Sequence, residues 1–344
     1  MKFVYTASQA RVVFGAGSRA QLASEVGKLG IARALVISSP GQASAAGELA
    51  TAIAGATTYP HAVVHVPVAI AETARAHATK LDCDGYVAYG GGSAIGLAKA
   101  LAVATGHPII AMPTTYSGSE ATPVYGLTEA GVKRTARDAR VQPRVVIYDP
   151  ELYAQLPIKI AGPSAINAIA HAVEALYAAD GNPAIDALAE SAVRSLAAAA
   201  PRLHDAESRE AAVAGAWLAG TCLAAVSMAL HHKLCHALGG AFDLPHAETH
   251  AIVLPYALAY NAASVPRAMA ALGRALDTTD PAGALFELRA ALGAPGSLAE
   301  LGVPHGGLDA IVDLTLATPY QNPRPLERAP LRALLEAAFD GRHP

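Results

Sequence analysis

Two loops and a set of histidines carry the residue types from which chemistry is made. Gly90–Gly91–Gly92–Ser93 follows the β-rich run Gly85–Tyr89 and precedes an Ala-rich stretch. A glycine run between a strand and a helix lets the backbone approach a phosphate, while the helix N-terminus adds unpaired N–H groups and a positive dipole end. Ser93 suits either the helix N-cap or the phosphate itself. The run is neither a G-x-G-x-x-G fingerprint nor a P-loop, because no Gly-Lys-Ser/Thr follows it. A second loop, Pro113–Thr114–Thr115–Tyr116–Ser117–Gly118–Ser119–Glu120, follows the next strand and is full of hydroxyls. Loops at the carboxyl ends of neighbouring parallel strands form the crevice where open α/β sheets bind ligands.

The histidines are paired by helical spacing. His171 comes four residues after Asn167, on a helix expected to start near Pro163. His232 and His236 share one face of a later helix, and His246 opens another after Leu244–Pro245, with His250 one turn on. Side chains at i, i+4 on facing helices are how helical domains build metal or proton-transfer sites. His246-Ala-Glu-Thr-His250 is not H-E-x-x-H, since Glu248 lies two residues after the first His. His231 and His250 read as helix-face residues, and His204 and His305 as surface.

The elements that must position these groups follow from pattern. Candidate strands are Arg11–Phe14, Ala34–Ser38, Tyr86–Tyr89, Pro108–Met112 and Val145–Tyr148, separated by helical stretches near 18–28, 42–54, 70–80 and 93–104. That alternation predicts a mostly parallel sheet covered on both faces. Thr128–Glu129–Ala130–Gly131 reads as a hairpin turn. From about residue 163 almost everything reads as helix, broken at 181–183, 244–245, 280–281 and 293–295 by Gly and Pro. The expected organisation is an α/β dinucleotide-binding domain over 1–155 and an all-helical substrate domain over 156–344.

Composition narrows the function. The chain has 344 residues, is 53% hydrophobic and 15% charged, and carries a net charge of −3. Disorder is excluded, and no basic field exists to draw the chain onto nucleic acid or acidic lipid. Cys83, Cys222 and Cys235 are too few and too scattered for a disulfide framework and fit reduced thiols of a cytoplasmic protein. Arg11 interrupts the apolar stretch that a secretory signal would need. Ala211–Leu230 is uncharged for twenty residues but weakly apolar, so a buried helix is expected there rather than a membrane span.

In order and in kind these motifs resemble the iron-containing alcohol dehydrogenase superfamily, whose fold is shared with dehydroquinate synthase. The resemblance rests on the Gly-Gly-Gly-Ser loop, the Pro-Thr-Thr loop with Gly-Ser-Glu, an x-A-x-x-H-A-x-E helix and an H-x-x-x-H-x-L-G-G…P-H segment. It implies NAD(P) in the first domain and a catalytic metal held by one Asp and three His. Position by position, those ligands fall on Asn167, His171, His232 and His246, with His236 as a further active-site histidine. Two positions depart: Asn167 stands for the Asp, and Gly96 stands where most members have Asp. A hard divalent cation at Asn167 would lose its one anionic ligand.

Those departures resemble the maleylacetate reductase branch. Its patterns are met at Gly96–Leu97–Ala98–Lys99–Ala100, from Thr114 to Glu129, at His231–His232–Lys233–Leu234–Cys235–His236, and from Pro319 to Pro325. The branch implies reduction of the conjugated C=C bond of maleylacetate to 3-oxoadipate in aromatic-compound degradation. It uses NADH or NADPH and no metal, and it implies a homodimer. Catalytic candidates are His236, His232, His246, His171, Asn167 and Lys233, with Lys233 and Arg324 pairing the carboxylates of a dicarboxylate substrate. For the cofactor, Gly91, Gly92 and Ser93 would hold the pyrophosphate, Thr114, Thr115 and Ser119 would line the nicotinamide side, and Lys133 matches a family position near the ribose. Ser38 and Ser39 occupy the place of the acid that would repel a 2′-phosphate, which leaves NADPH as open as NADH. The alternatives are a metal-dependent alcohol dehydrogenase with Asn167 ligating through its carbonyl, a dehydroquinate synthase-type lyase, and a sensor that kept the cofactor fold.

Overall fold

The apolar runs Ala34–Ile37, Gly85–Gly90, Ile109–Pro113 and Val145–Tyr148 become strands buried on both faces, as the interior of a parallel sheet requires. The computed structural model describes residues 3–7, 10–129 and 132–344, with only the backbone of Val132 and Lys133. The chain divides into two units, Ser8–Leu156 and Met1–Ala7 with Pro157–Pro344. The expectation that the first domain takes in the start of the chain is thus corrected: residues 3–7 cluster with the helical unit.

In the first unit β1 (Arg11–Phe14), α1 (Leu22–Lys28), β2 (Ala34–Ile37), α2 (Ala43–Thr51), β3 (Thr57–Tyr59), α3 (Val68–Lys80), β4 (Gly85–Gly90), α4 (Gly92–Thr105) and β5 (Ile109–Pro113) follow in turn. A hairpin of β6 (Val124–Glu129) and β7 (Val132–Arg137) then precedes β8 (Val145–Tyr148). Of the expected turn, Thr128 and Glu129 belong to β6, and Ala130 and Gly131 lie outside the described residues. The sheet order is β1-β8-β5-β4-β2-β3, all parallel. Alternate residues serve opposite cores. Leu35, Ile37, Tyr86 and Ala88 meet Ile95 and Leu101 of α4 on one face, while Val36, Val87, Ile110 and Ile147 meet Leu22 and Val26 of α1 on the other. The one strand missing from the sequence reading is β3, whose Thr-Thr-Tyr is too short and too polar to show a pattern.

The second unit is helical: α5 (Ile158–Ala175), α6 (Pro183–Ala199), α7 (Ala206–Ala225), α8 (Leu230–Phe242), α9 (His246–Asn261), α10 (Pro266–Leu276), α11 (Pro281–Ala291), α12 (Leu308–Leu316) and α13 (Arg328–Asp340). Asn182 and Asp280 cap α6 and α11 through their side chains. α5 starts five residues before the expected Pro163, which sits inside it. The missing N–H of Pro163 falls opposite the carbonyl of exposed Lys159, where water can take over. α5 packs against α6, α7 and α9 and is buried from Ala161 to Ala175. Its many alanines let those helices approach closely. The uncharged run from Ala211 is not one helix, because α7 stops at Ala225 and α8 leaves at 92°. Among the described residues no single helix is long and apolar enough to cross a membrane.

Gly96, the second departure from the family pattern, has a packing reason. His65 and Val66 adopt positive φ (63° and 45°), a strained state for a β-branched residue. Thr128 of β6 holds them there: its N–H donates to the Val66 carbonyl at 3.1 Å and its hydroxyl to the His65 carbonyl at 2.7 Å. A Cβ on Gly96 would stand 2.8 Å from Val66 Cγ2. Gly96→Ala should therefore destabilise the chain by about 1–3 kcal/mol in urea denaturation. The double variant with Val66→Ala should recover most of that loss relative to Val66→Ala alone.

Candidate active site

β2 and β4 lie side by side, yet the chain leaves β2 toward β3 at the edge and leaves β4 toward β5 on the other side. Loops diverging in this way open a crevice at the carboxyl ends of the two strands. Gly90 takes φ +143°, and a Cβ there would stand 2.7 Å from Gln42 Oε1. Gly91 precedes α4 with no side-chain cap, and Gly92 is exposed with nothing within 4 Å of the place a Cβ would take. Among the described residues no side chain accepts from the N–H groups of this first turn, as a phosphate cradle requires. Thr115 Oγ1 would lie 2.9 Å from a Cβ on Gly91, so the hydroxyl loop lies directly against the glycines.

Gln42 ties these loops together and was missed by sequence reasoning. Its Nε2 donates to Thr114 Oγ1 at 3.0 Å, and its Oε1 accepts from Ser39 Oγ at 3.4 Å. Of the two serines, Ser38 is fully buried with its hydroxyl on the Ser39 carbonyl, while Ser39 is partly exposed. Ser93 is partly exposed in the first turn of α4. The backbone of Lys133 pairs with Thr128, and its side chain lies outside the described residues.

In the helical unit six imidazoles form one continuous cluster. His171 stacks on His232 with ring centroids 5.2 Å apart, and His250 lies 4.9 Å from His232, 4.7 Å from His231 and 4.2 Å from His246. His236 completes it, 6.3 Å from His232 and 6.4 Å from His246. Burial is graded: His171, His231, His232 and His250 are buried, while His236 and His246 are exposed. Burial first, and then the neighbouring imidazoles, hold His171, His231 and His250 well below the usual histidine pKa. These three rings are neutral at pH 7. Asn167 Oδ1, His171 Nδ1 and His232 Nε2 are buried with no hydrogen-bond partner among the described residues. Orphaned polar atoms of this kind mark a place where a ligand completes the bonding.

Behind them stands Glu174, fully buried. Its carboxylate accepts from the N–H groups of Ala229 (3.0 Å) and His231 (2.8 Å) and lies 2.7 Å from His232 Nδ1. It thereby orders the start of α8 and turns His232 Nε2 outward. Sequence reasoning quoted Glu174 in a motif but gave it no role. The signal was present, for Asn167, His171 and Glu174 recur at i, i+4, i+7, and Glu174 is the one carboxylate within α5. His231, Cys235 and His250 also converge closely enough to hold a metal ion. Their nitrogens already meet at 2.9 Å, however, and burial and then Glu174 push the Cys235 thiol well up, so it stays protonated.

The family model described as iron-containing alcohol dehydrogenase matches residues 9–150, and that for the C-terminal part of the Fe-containing alcohol dehydrogenase family matches 162–339. The chain belongs to the iron-containing alcohol dehydrogenase family. It is 50% identical to a maleylacetate reductase from Burkholderia cepacia over 349 residues, covering 99% of both chains. A maleylacetate reductase from Sphingobium indicum is also 50% identical, over 100% of this chain and 99% of that one. The crystal structure of maleylacetate reductase from Agrobacterium tumefaciens superposes with a TM-score of 0.96 at 46% identity, with full coverage of both chains.

The two expected carboxylate partners each lie against a tyrosine ring. Lys233 follows His232 on α8, its Nζ 5.5 Å from the Tyr320 ring. Arg324 lies 4.2 Å over the Tyr260 ring and donates to the Tyr260 carbonyl at 3.1 Å. Tyr260 is ten residues beyond His250 on α9, about 15 Å along the helix. The Arg324 carbonyl accepts from Asn322 Nδ2 at 2.7 Å, and Asn322 Oδ1 accepts from the N–H of Leu230, the residue before His231.

Glu174→Gln keeps the shape but turns an acceptor into a donor facing donors. It should lower kcat by about 10- to 100-fold, the scale of a lost hydrogen bond to a charged group, with the KM for NADH unchanged. Steady-state NADH oxidation checks both.

Proposed function

We propose that this chain reduces the conjugated C=C bond of maleylacetate to 3-oxoadipate with NADH or NADPH and without a resident metal. Full-length identity of 50% to proteins named maleylacetate reductase carries the substrate assignment. The uncapped first turn of α4 and the open face of Gly92 fit a pyrophosphate, with Ser93, Thr114, Thr115, Ser119 and Ser39 as further contacts. Bound NAD(P)H would supply the hydride. A homodimer in the cytoplasm is the setting that the family resemblance supports.

The metal-free part of the reading rests on Asn167. Asn167, His171, His232 and His246 carry no carboxylate among them, and Glu174 is already committed to two backbone N–H groups and His232. Such a donor set is a poor fit for a hard divalent cation. The reaction needs less than a metal provides. Reducing an isolated ketone leaves an alkoxide, which benefits from a Lewis acid. In maleylacetate the alkene is conjugated to the ketone, so addition at the far carbon leaves the charge on an enolate oxygen. That weaker base can be held by aimed hydrogen-bond donors. The Asn167 amide N–H and His246 would polarise the ketone, with neutral His171 completing the wall, while His232, whose Nδ1 donates to Glu174, turns Nε2 outward as an acceptor. Lys233 would pair with a substrate carboxylate. Proton delivery to carbon needs an imidazole outside the buried neutral set, and exposed His236 suits it.

Two measurements test this. Protein dialysed against EDTA should keep its maleylacetate-dependent NADH oxidation. Asn167→Asp should raise Zn²⁺ or Fe²⁺ affinity and lose activity in chelator, because a carboxylate repels the enolate and cannot donate. Activity abolished by chelation and restored by metal would establish instead the metal-dependent alternative, with the orphaned Asn167 oxygen as a ligand. Separately, His236→Ala should lower kcat by about 10²-fold or more with cofactor affinity unchanged. A fully active variant would reassign the proton to His246.

A further inference from the structure

The α/β unit buries a cation that none of the chemistry above uses. Lys99 lies in α4 with no solvent exposure. Its ammonium donates to the carbonyls of Ser119 (2.6 Å), Thr122 (2.7 Å) and Val124 (2.8 Å), with Thr122 Oγ1 at 3.1 Å. An ammonium has three N–H donors, so three carbonyls saturate it. Those acceptors are spaced along the segment that carries the hydroxyl loop into β6. Glu120, between them in sequence, is equally buried, and its Oε1 accepts from the Tyr148 hydroxyl at 3.0 Å.

A buried ammonium is costly. Burial lowers the Lys99 pKa to about 7, opposed by the Glu120 charge, while burial raises the Glu120 pKa. A Met of similar length would fill the same space without that penalty. What Met cannot do is fasten three carbonyls of an irregular segment to a helix. The helix is α4, whose first turn is the glycine cradle, and the segment is the continuation of the loop whose Thr115 lies against Gly91.

We propose that Lys99 is a positioning residue for the cofactor: it clamps Ser119–Val124 to α4 and so holds Thr114, Thr115 and Ser119 at a set distance from Gly91 and Gly92. The role rests on the reading of these two loops as the NAD(P)H site. A loop released at its far end would still reach the cradle, but as an ensemble, and cofactor binding would have to select the competent fraction.

The test is Lys99→Met, with three readouts on the whole protein. NADH affinity by fluorescence titration should weaken at least tenfold, with the KM for NADH rising in parallel. The kcat at saturating NADH should stay within threefold of the wild type. Amide hydrogen exchange over residues 114–124 should accelerate at least tenfold. A folded variant with unchanged NADH affinity and unchanged exchange overturns the proposal, as does a lowered Tm with unchanged affinity, because either leaves Lys99 with a structural role at most. Faster exchange in the variant, together with a wild type that binds neither NADH nor NADPH, separates a real clamp from a failed cofactor reading. The positioning role then falls with that reading. Should Lys99→Met not fold, Lys99→Gln is read the same way, with an expected threefold or greater loss of affinity. Insolubility of both variants assigns Lys99 to stability alone and overturns the proposal.

Discussion

Glu174 is buried with both carboxylate oxygens engaged, one by the N–H of His231 and the other by the N–H of Ala229 and by His232 Nδ1. Removing a carboxylate from water costs several kcal/mol unless its lone pairs are satisfied. The geometry around Glu174 is therefore over-determined. α5 must run deep enough to bury it, α7 must end before residue 226, and α8 must start at residue 230 with its first N–H groups aimed inward. The orientation of His232 follows, and with it the stacking on His171 and the contact with His250. One buried charge sets the frame in which the neutral imidazoles lie.

The same principle works in the α/β unit with the sign reversed. There the buried charge is Lys99, and it is the backbone carbonyls of an irregular segment that satisfy it. In both units an ion that cannot escape to water is matched to main-chain groups that regular structure leaves unpaired. The glycine turn at the head of α4 is the complement of these arrangements, a set of backbone N–H groups that no side chain among the described residues satisfies. Val66 shows what such precision costs nearby: a strained β-branched residue held by Thr128 over the space that Gly96 leaves open.

Within the histidine cluster, burial separates two kinds of imidazole. His171, His231 and His250 lie where a charge would be expensive, and each neighbour raises that expense. They serve as neutral dipoles of fixed orientation. His236 and His246 reach solvent and can exchange protons with it. A reaction that develops an enolate and then protonates carbon would call on both kinds.

Much of this was legible in the residues themselves. The period of the strands and the placement of Gly and Pro determined the parallel sheet and the helical second half, because burial on two faces and backbone strain act locally. The i, i+4 spacing of Asn167 with His171 and of His232 with His236 placed those side chains on shared helix faces, and the motifs pointed to the family. Long-range packing decided the rest. Only the fold shows that Glu174 meets the backbone of residues 229 and 231, that Lys99 meets residues 119–124, and that Gln42 joins loops following three strands. Each of these partners is an unpaired main-chain or hydroxyl group, and no composition or period announces where such a group will lie. Arg324 makes the same point. Its type suits a carboxylate, and only the fold shows that its guanidinium rests on the ring and carbonyl of Tyr260, because such a group finds its neighbours by position in space and not by position in the chain.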